Sequence, residues 1–214
     1  AHLSIAAFGG TFLMMVALTY FIDHEKDVHW IAVVEERLRA VASIRGLEIA
    51  FVLILALGFA MGLPPGKGAE FLFAAVFGLV TFLAVELLGQ VLDRASEATD
   101  VAVKGGLGAF LYLEVLDASF SFDGVIGAFA LTQNLFLIAI GLGIGAFYVR
   151  GMTIMLVEKG TLAEFRYLEH GAFYSILVLA VIMYLQSVIH IHEMITGLIG
   201  ACLIGLSLLS SVRY

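Results

Sequence analysis

The chain has 214 residues, of which 62% are hydrophobic and 14% are charged, and its mean hydropathy is +1.06. Soluble domains are closer to half apolar and about one quarter charged, and a chain of this length could not bury so much apolar surface in its own core. The net charge is −7 and no basic patch is present, which argues against a nucleic-acid partner. The composition therefore predicts an integral membrane protein whose main partner is the lipid bilayer.

Seven apolar segments are long enough to cross about 30 Å of hydrocarbon, which takes about 20 residues in an α-helix. Helices are predicted because backbone polar groups in lipid must be satisfied within their own segment, and no barrel-like alternation is visible. The predicted fold is all-α, a polytopic transmembrane helix bundle that forms one domain over residues 1–214. The helices are predicted at about residues 3–22, 46–63, 69–90, 106–131, 134–157, 171–187 and 194–211.

Residues 25–43, between the first two predicted helices, have a different pattern. Apolar residues such as Ile31 share this segment with Lys26, Glu35 and Arg37. That mixture is typical of an amphipathic helix that lies at the membrane surface. We therefore predict one interfacial helix in addition to the membrane-spanning helices.

Small residues recur at a spacing of four in two of the later predicted helices. Gly141 and Gly145 form one such pair, and Gly197, Ala201 and Gly205 form a longer series. Small residues at this spacing let two helices approach closely. The pattern predicts ordinary helix packing within the bundle.

Basic residues are distributed unevenly between the two sides of the predicted bundle. Every second connection between the predicted helices lies on the same side of the membrane. One side then holds nine basic residues, and the other side holds Lys67 as its single basic residue. The positive-inside rule places the richer side in the cytoplasm, which makes the C-terminus cytoplasmic and Ala1 external. An external start without a signal sequence predicts that an odd number of helices precedes this chain. The nine residues of the richer side are Lys26, Arg37, Arg39, Arg45, Arg94, Lys104, Lys159, Arg166 and Arg213.

The fourth predicted helix carries the carboxylic acids Glu114, Asp117 and Asp123 among apolar residues. A charged side chain at the bilayer centre costs about 2.5–3.5 kcal/mol on insertion scales, so these acids need a polar cavity, a cation or one another. At about 100° per residue, Glu114, Asp117 and Ser121 share one face, whereas Asp123 lies opposite Glu114. We therefore predict a broken or kinked helix near residues 119–124, where serines can bond freed carbonyls and a glycine tolerates unusual dihedrals.

Carboxylates, hydroxyls and freed carbonyls together form a hard, oxygen-rich site that suits Mn²⁺, Ca²⁺ or Mg²⁺. The predicted metal ligands are Asp117, Asp123, Ser121 and Glu114. The metal would be the substrate, and no organic cofactor is expected. Two alternatives stay open, namely that the acids pair with buried bases and that they share protons in a relay.

Four further residues are predicted to line the pathway or to balance its charge. Arg150 and Glu114 lie at similar predicted depths, about 10 and 12 Å from the cytoplasmic side, so they could pair, although Arg150 could instead extend towards the cytoplasm. Glu86 could bind the cation at the cytoplasmic mouth or be solvated at the interface. Glu169 and His170 begin the sixth predicted helix, where the acid complements the helix N-terminus and a gating role is the alternative.

The motif Asp117-x-Ser119-x-Ser121-x-Asp123, followed by Gly-Val-Ile-Gly-Ala-Phe-Ala-Leu-Thr, resembles the acidic helix of the TerC-like family within the LysE superfamily. The family signature is an acid that is followed by a serine at the fourth position after it and by an aspartate at the sixth position after it. Asp117, Ser121 and Asp123 match it. Other stretches resemble one bacterial branch of this family, and they begin at Asp23, Val149, Glu158 and Tyr167.

This resemblance implies two inverted or duplicated halves, each of which brings one acidic helix to a shared centre. It also implies efflux of a divalent cation, Mn²⁺ before Ca²⁺, across a bacterial inner membrane. The first acidic helix of the family, which usually ends Asp-Asn-Ala, is missing from this chain. Its absence puts half of the expected site in doubt.

The sequence therefore predicts a transporter and not an enzyme, because no nucleophile arrangement, complete zinc set or P-loop is present. Two alternatives are export of an amino acid or other small organic ion, whose carboxylate Arg150 would bind, and a non-transporting scaffold in a metal-stress complex. A homo-oligomer is compatible with each of them.

Overall fold

In the computed structural model, the described residues are 2–22, 30–31, 46–98, 134–158, 165–189 and 191–213. These ranges contain six α-helices and no β-strand, so the all-α prediction is confirmed for the described part of the chain. In chain order the helices are α1 (His2–Ile22), α2 (Leu47–Gly62), α3 (Lys67–Ala98), α4 (Leu135–Glu158), α5 (Leu168–Gln186) and α6 (Glu193–Arg213).

Each of these helices corresponds to one of the predicted helices. The largest difference is at the end of α3, which continues to Ala98 instead of ending at residue 90. Strong helix formers such as Leu92, Arg94 and Ala95 follow the apolar part, so the helix can continue after the hydrocarbon ends. The predicted helix 106–131 with its kink lies outside the described residues, as does the interfacial segment 25–43 apart from two residues.

Five of the described helices are long and apolar enough to cross a membrane, which supports a multi-pass membrane protein. The remaining one, α2, has 16 residues and is therefore about 24 Å long. Gly46 precedes α2 with a φ of 83°, and Gly66 follows it with a φ of 89°. Both values lie in the left-handed region that glycine adopts without steric cost, so glycines shape the turns on either side of this short helix.

Two compact units make up the chain, one formed by Ala1–Ala84 with Phe165–Tyr214 and the other by Val85–Glu164. The first unit contains α1, α2, α5, α6 and the first part of α3. The second unit contains the rest of α3 and α4. In α4, Asn134 caps the helix start, because its side-chain oxygen accepts the backbone N–H of Phe136 at 3.1 Å.

Helix α1 is the most deeply buried helix of the first unit. It can approach α5 closely because Gly10 has no side chain, since a Cβ there would lie 2.7 Å from the ring of Tyr184. A Cβ at Gly78 of α3 would likewise overlap the backbone of Phe8. Glycines therefore allow α1 to lie against two other helices at once.

Helices α5 and α6 also meet through small residues. A Cβ on Gly171 would overlap the side chain of Ser207, which is fully buried. The hydroxyl of Ser175 donates to the carbonyl of Gly171 in its own helix at 2.8 Å and also lies 3.3 Å from the carbonyl oxygen of Gly200 on α6. By contrast, no heavy atom lies within 4 Å of a Cβ built on Gly141, Gly145, Gly197 or Gly205, as far as the described residues go. Among the described residues, Gly10, Gly78 and Gly171 make close helix contacts.

The helices of the first unit alternate in direction. At one end, Tyr20 of α1 stacks on Phe173 of α5, and the backbone N–H of Tyr167 donates to the hydroxyl of Ser211 at 2.9 Å. At the other end, Ser4 of α1 donates a hydrogen bond of 2.6 Å to Glu70 of α3. The end of α1 therefore lies beside the start of α5, as expected for membrane helices that cross back and forth.

Candidate functional site

The predicted metal ligands lie outside the described residues, in the segment between α3 and α4. They are Glu114, Asp117, Ser121 and Asp123. The structure describes the other predicted site residues, which are Glu86, Arg150, Glu169 and His170. Glu86 and Arg150 belong to the second unit, and Glu169 and His170 belong to the first unit.

Glu86 and Arg150 each lie inside a candidate membrane span, in Lys67–Leu87 and Leu135–Met155 respectively. Glu86 is half-buried, and Arg150 is exposed. Arg150 is eight residues from the end of α4 at Glu158, or about 12 Å along the helix axis. A guanidinium at that depth needs an acidic partner, a polar cavity or an extended path to the interface. The predicted pairing of Arg150 with Glu114 stays a prediction.

His170 lies in the first turn of α5 and is only 2% exposed. Aromatic rings surround the imidazole, with the Tyr20 ring edge-on at 5.8 Å and the Tyr167 ring edge-on at 6.3 Å between centroids. Tyr20 also stacks on Phe173 with a centroid separation of 3.6 Å. His170 is therefore part of an aromatic cluster that joins α1 to α5.

Glu169 precedes His170 but is exposed. It stands in the first turn of α5, so the prediction of an acid at this helix start is confirmed, and the helix dipole favours it there. Next to the cluster, the guanidinium of Arg166 lies 6.0 Å from the centre of the Tyr167 ring, at cation–π distance. The two neighbouring residues thus face different surroundings, with Glu169 accessible and His170 enclosed. A gating role for the pair stays a prediction.

A hydroxyl contact between α1 and α5 is not among the features predicted from the sequence. Thr11 donates a 2.7 Å hydrogen bond to the carbonyl of Ala7, and its oxygen lies 2.6 Å from the hydroxyl of Tyr184. Because the Thr11 proton is already used, Tyr184 is the donor in the second bond. The signal that could have revealed this contact is a hydroxyl in each of two apolar helices, since membrane helices bond such groups to one another.

Within the described ranges, no group of three His, Cys, Asp or Glu side chains is placed to hold a metal ion. Buried polar residues there include Thr11, Ser207 and His170, and the hydroxyl of Tyr184 is buried as well. The interior that the structure describes is therefore mainly apolar.

A family model described as "Protein of unknown function (DUF475)" matches residues 1–214, which is the whole chain. Neither the search of curated proteins nor the search of solved structures returned a significant match. The TerC-like resemblance rests on the motif around Asp117 and Asp123 and stays a prediction.

Proposed function

The chain belongs to the DUF475 family, and we propose that this multi-pass membrane protein exports a divalent metal cation, Mn²⁺ before Ca²⁺. One observation carries the proposal, namely that Glu114, Asp117 and Asp123 stand close together in an otherwise apolar segment. Ionisable residues inside membrane segments are functional by default, because their insertion is costly. A bound divalent cation would offset that cost.

The ligand types favour a hard cation. Asp117 and Asp123 would be the main ligands, Ser121 and freed backbone carbonyls would complete the shell, and Glu114 would tune the charge of the site. Oxygen ligands of this kind suit Mn²⁺, Ca²⁺ and Mg²⁺, whereas softer metals prefer thiolates. No thiol competes in this segment, since Cys202 is the single cysteine of the chain.

The described helices are mainly apolar, and five of them are apolar enough to span a membrane. A cation that crosses such a bundle needs oxygen ligands to replace its water shell. The acidic segment is where the sequence offers them.

The membrane is proposed to be a bacterial inner membrane, with the C-terminus in the cytoplasm. At one end of the first unit, the end of α1 lies beside the start of α5. The end of α6 lies there too, because Tyr167 bonds Ser211. The described basic residues Arg166 and Arg213 belong to this end of the unit. The positive-inside rule assigns such an end to the cytoplasm.

The test is to measure cellular manganese while the protein is expressed under manganese excess. We expect Asp117→Asn and Asp123→Asn each to raise cellular manganese to the level of cells without the protein, because each removes a charged ligand. Glu158→Gln is the control, since Glu158 is exposed at the end of α4, and this variant should export like the wild type. Wild-type manganese levels in both aspartate variants, at equal protein abundance, would refute metal export.

Export of an amino acid or another small organic ion is the second candidate. Arg150 favours it, because a guanidinium inside the span Leu135–Met155 could bind a substrate carboxylate in a bidentate manner. The two candidates differ in what stabilises the purified protein. Thermal stabilisation by Mn²⁺ without any effect of amino acids supports metal export, and the reverse result supports the second candidate.

A further inference from the structure

The first unit contains a cavity of about 480 Å³ between α1, α2 and α5. This volume lies within the range of about 300–1,000 Å³ that is usual for small-molecule sites. Its walls are apolar, and Glu48 is the one charged residue among the residues that line it, all of which are described. The cavity uses none of the residues proposed above for cation export.

The two ends of the cavity differ in polarity. Ile22, Leu47 and Glu48 line one end, where α1 finishes and α2 begins. Helix ends of this kind lie near the lipid head groups, since α1 is just long enough to cross the hydrocarbon. Glu48 is half-buried there, so its carboxylate stands at the boundary between water and the apolar space.

Aromatic rings close the opposite end. Phe59 and Tyr184 line it, and their rings meet edge-on with centroids 5.2 Å apart. The hydroxyl of Tyr184 is bonded to Thr11 and lies away from the solvent. The deep end is therefore lined by aromatic residues, and the polar group of Tyr184 is bonded elsewhere, which suits the end of a hydrocarbon chain.

The length of the cavity suits an extended alkyl chain. Glu48 and Phe59, which line its two ends, are about 16 Å apart along α2. A lipid chain can lie along this length with its polar head group beside Glu48 and its apolar end beside Phe59.

We infer that this cavity binds one acyl chain of a bilayer lipid whose head group carries a primary amine, with the ammonium at Glu48. The acyl chain fills apolar space that would otherwise lack contacts. A primary ammonium donates charge-assisted hydrogen bonds to a carboxylate. A quaternary ammonium has no proton to donate, so phosphatidylcholine is the matched comparison lipid.

The experiment is native mass spectrometry of the full chain, purified, stripped of lipid and titrated with either phosphatidylethanolamine or phosphatidylcholine. We expect the wild type to retain one phosphatidylethanolamine and to prefer it to phosphatidylcholine. Val181→Phe should weaken binding of both lipids about tenfold, because the larger ring fills the cavity. Glu48→Gln should still bind lipid but lose about fivefold of the preference for phosphatidylethanolamine.

Each variant has a control at a position that does not line the cavity. Val80→Phe makes the same change at an exposed valine of α3, and Glu70→Gln removes an exposed acid from the first turn of α3. Both should bind lipid like the wild type, and all variants should elute as folded protein. Equal binding by Val181→Phe and Val80→Phe, no retained lipid in the wild type, or an unchanged preference in Glu48→Gln would overturn the inference.

Discussion

The hydroxyl groups of Thr11 and Tyr184 form a polar contact inside an apolar helix pair, 2.6 Å apart and fully buried. Thr11 has a second partner within its own helix, the carbonyl of Ala7. Tyr184 relies on Thr11 as its acceptor. The two hydroxyls therefore differ in the number of their hydrogen-bond partners. Removing one or the other should lower the free energy of unfolding by different amounts.

We expect Thr11→Val to destabilise the protein by about 2 kcal/mol, because it leaves the Tyr184 hydroxyl buried without this acceptor. Tyr184→Phe should cost about 1 kcal/mol, since Thr11 keeps its bond to Ala7. The double variant should be no less stable than Thr11→Val alone. Reversible unfolding in mixed micelles, followed by circular dichroism as sodium dodecyl sulfate is added, measures these differences.

Thr81→Val is the control for this series, because Thr81 bonds only the carbonyl of Phe77 in its own helix among the bonds described for it. It should change the free energy of unfolding by less than about 0.5 kcal/mol. If Thr11→Val and Thr81→Val had the same effect, the contact between the helices would contribute nothing to stability.

At the scale of elements, α5 and α6 are held together where Gly171 meets Ser207. Ser211 accepts a hydrogen bond from the backbone N–H of Tyr167. The Ser175 hydroxyl, which donates to Gly171 in its own helix at 2.8 Å, also lies 3.3 Å from the carbonyl oxygen of Gly200. Small residues allow the two backbones to come close enough for these bonds. Gly197 on α6 has no such neighbour among the described residues, although the spacing of small residues in the sequence singles out Gly197 and not Gly171.

We expect Gly171→Ala to destabilise the protein by about 1–3 kcal/mol, because the new methyl group overlaps Ser207. Adding Ser207→Gly should recover part of this loss, so that the double variant is more stable than the sum of the single changes implies. The same detergent titration measures the effect.

The matched change Gly197→Ala should be neutral or should stabilise by up to about 1 kcal/mol, because alanine favours a helix and no described neighbour is close. Equal losses at Gly171 and Gly197 would show that the packing face of α6 has been assigned wrongly.

At the scale of the whole molecule, helix direction decides which residues reach each side of the membrane. Lys67 begins α3 beside Glu70, which bonds the start of α1. Arg166 precedes α5, beside the bond between Tyr167 and Ser211 at the end of α6. Lys67 and Arg166 therefore mark opposite ends of the first unit.

Single cysteines at these two positions should react from opposite sides of the membrane. In a Cys202→Ser background, which removes the exposed native thiol, we expect Lys67→Cys to react with a membrane-impermeant maleimide in intact cells. Arg166→Cys should react only after the cells are made permeable, because the positive-inside rule places it in the cytoplasm. Labelling of Arg166→Cys in intact cells would reverse the proposed orientation.

The sequence by itself determined the membrane class, the helical fold and the approximate bounds of the six described helices. It could do so because hydropathy and helix length are local properties that the bilayer thickness constrains. It also supplied the acidic motif with Asp117 and Asp123, which stays a prediction. Only the tertiary structure decided that Gly171 lies against a neighbouring helix, whereas Gly197 has no close neighbour among the described residues. It also decided that His170 is enclosed while Glu169 is exposed.

The cavity beside Glu48 is another feature that only the tertiary structure decided. In the sequence, Glu48 is an acid at a helix start, a position that needs no further explanation. In the structure, residues far apart in the chain, such as Met14 and Val181, line one space with it. Packing depends on the shapes of side chains from distant segments, and no local pattern along the chain records which of those segments meet.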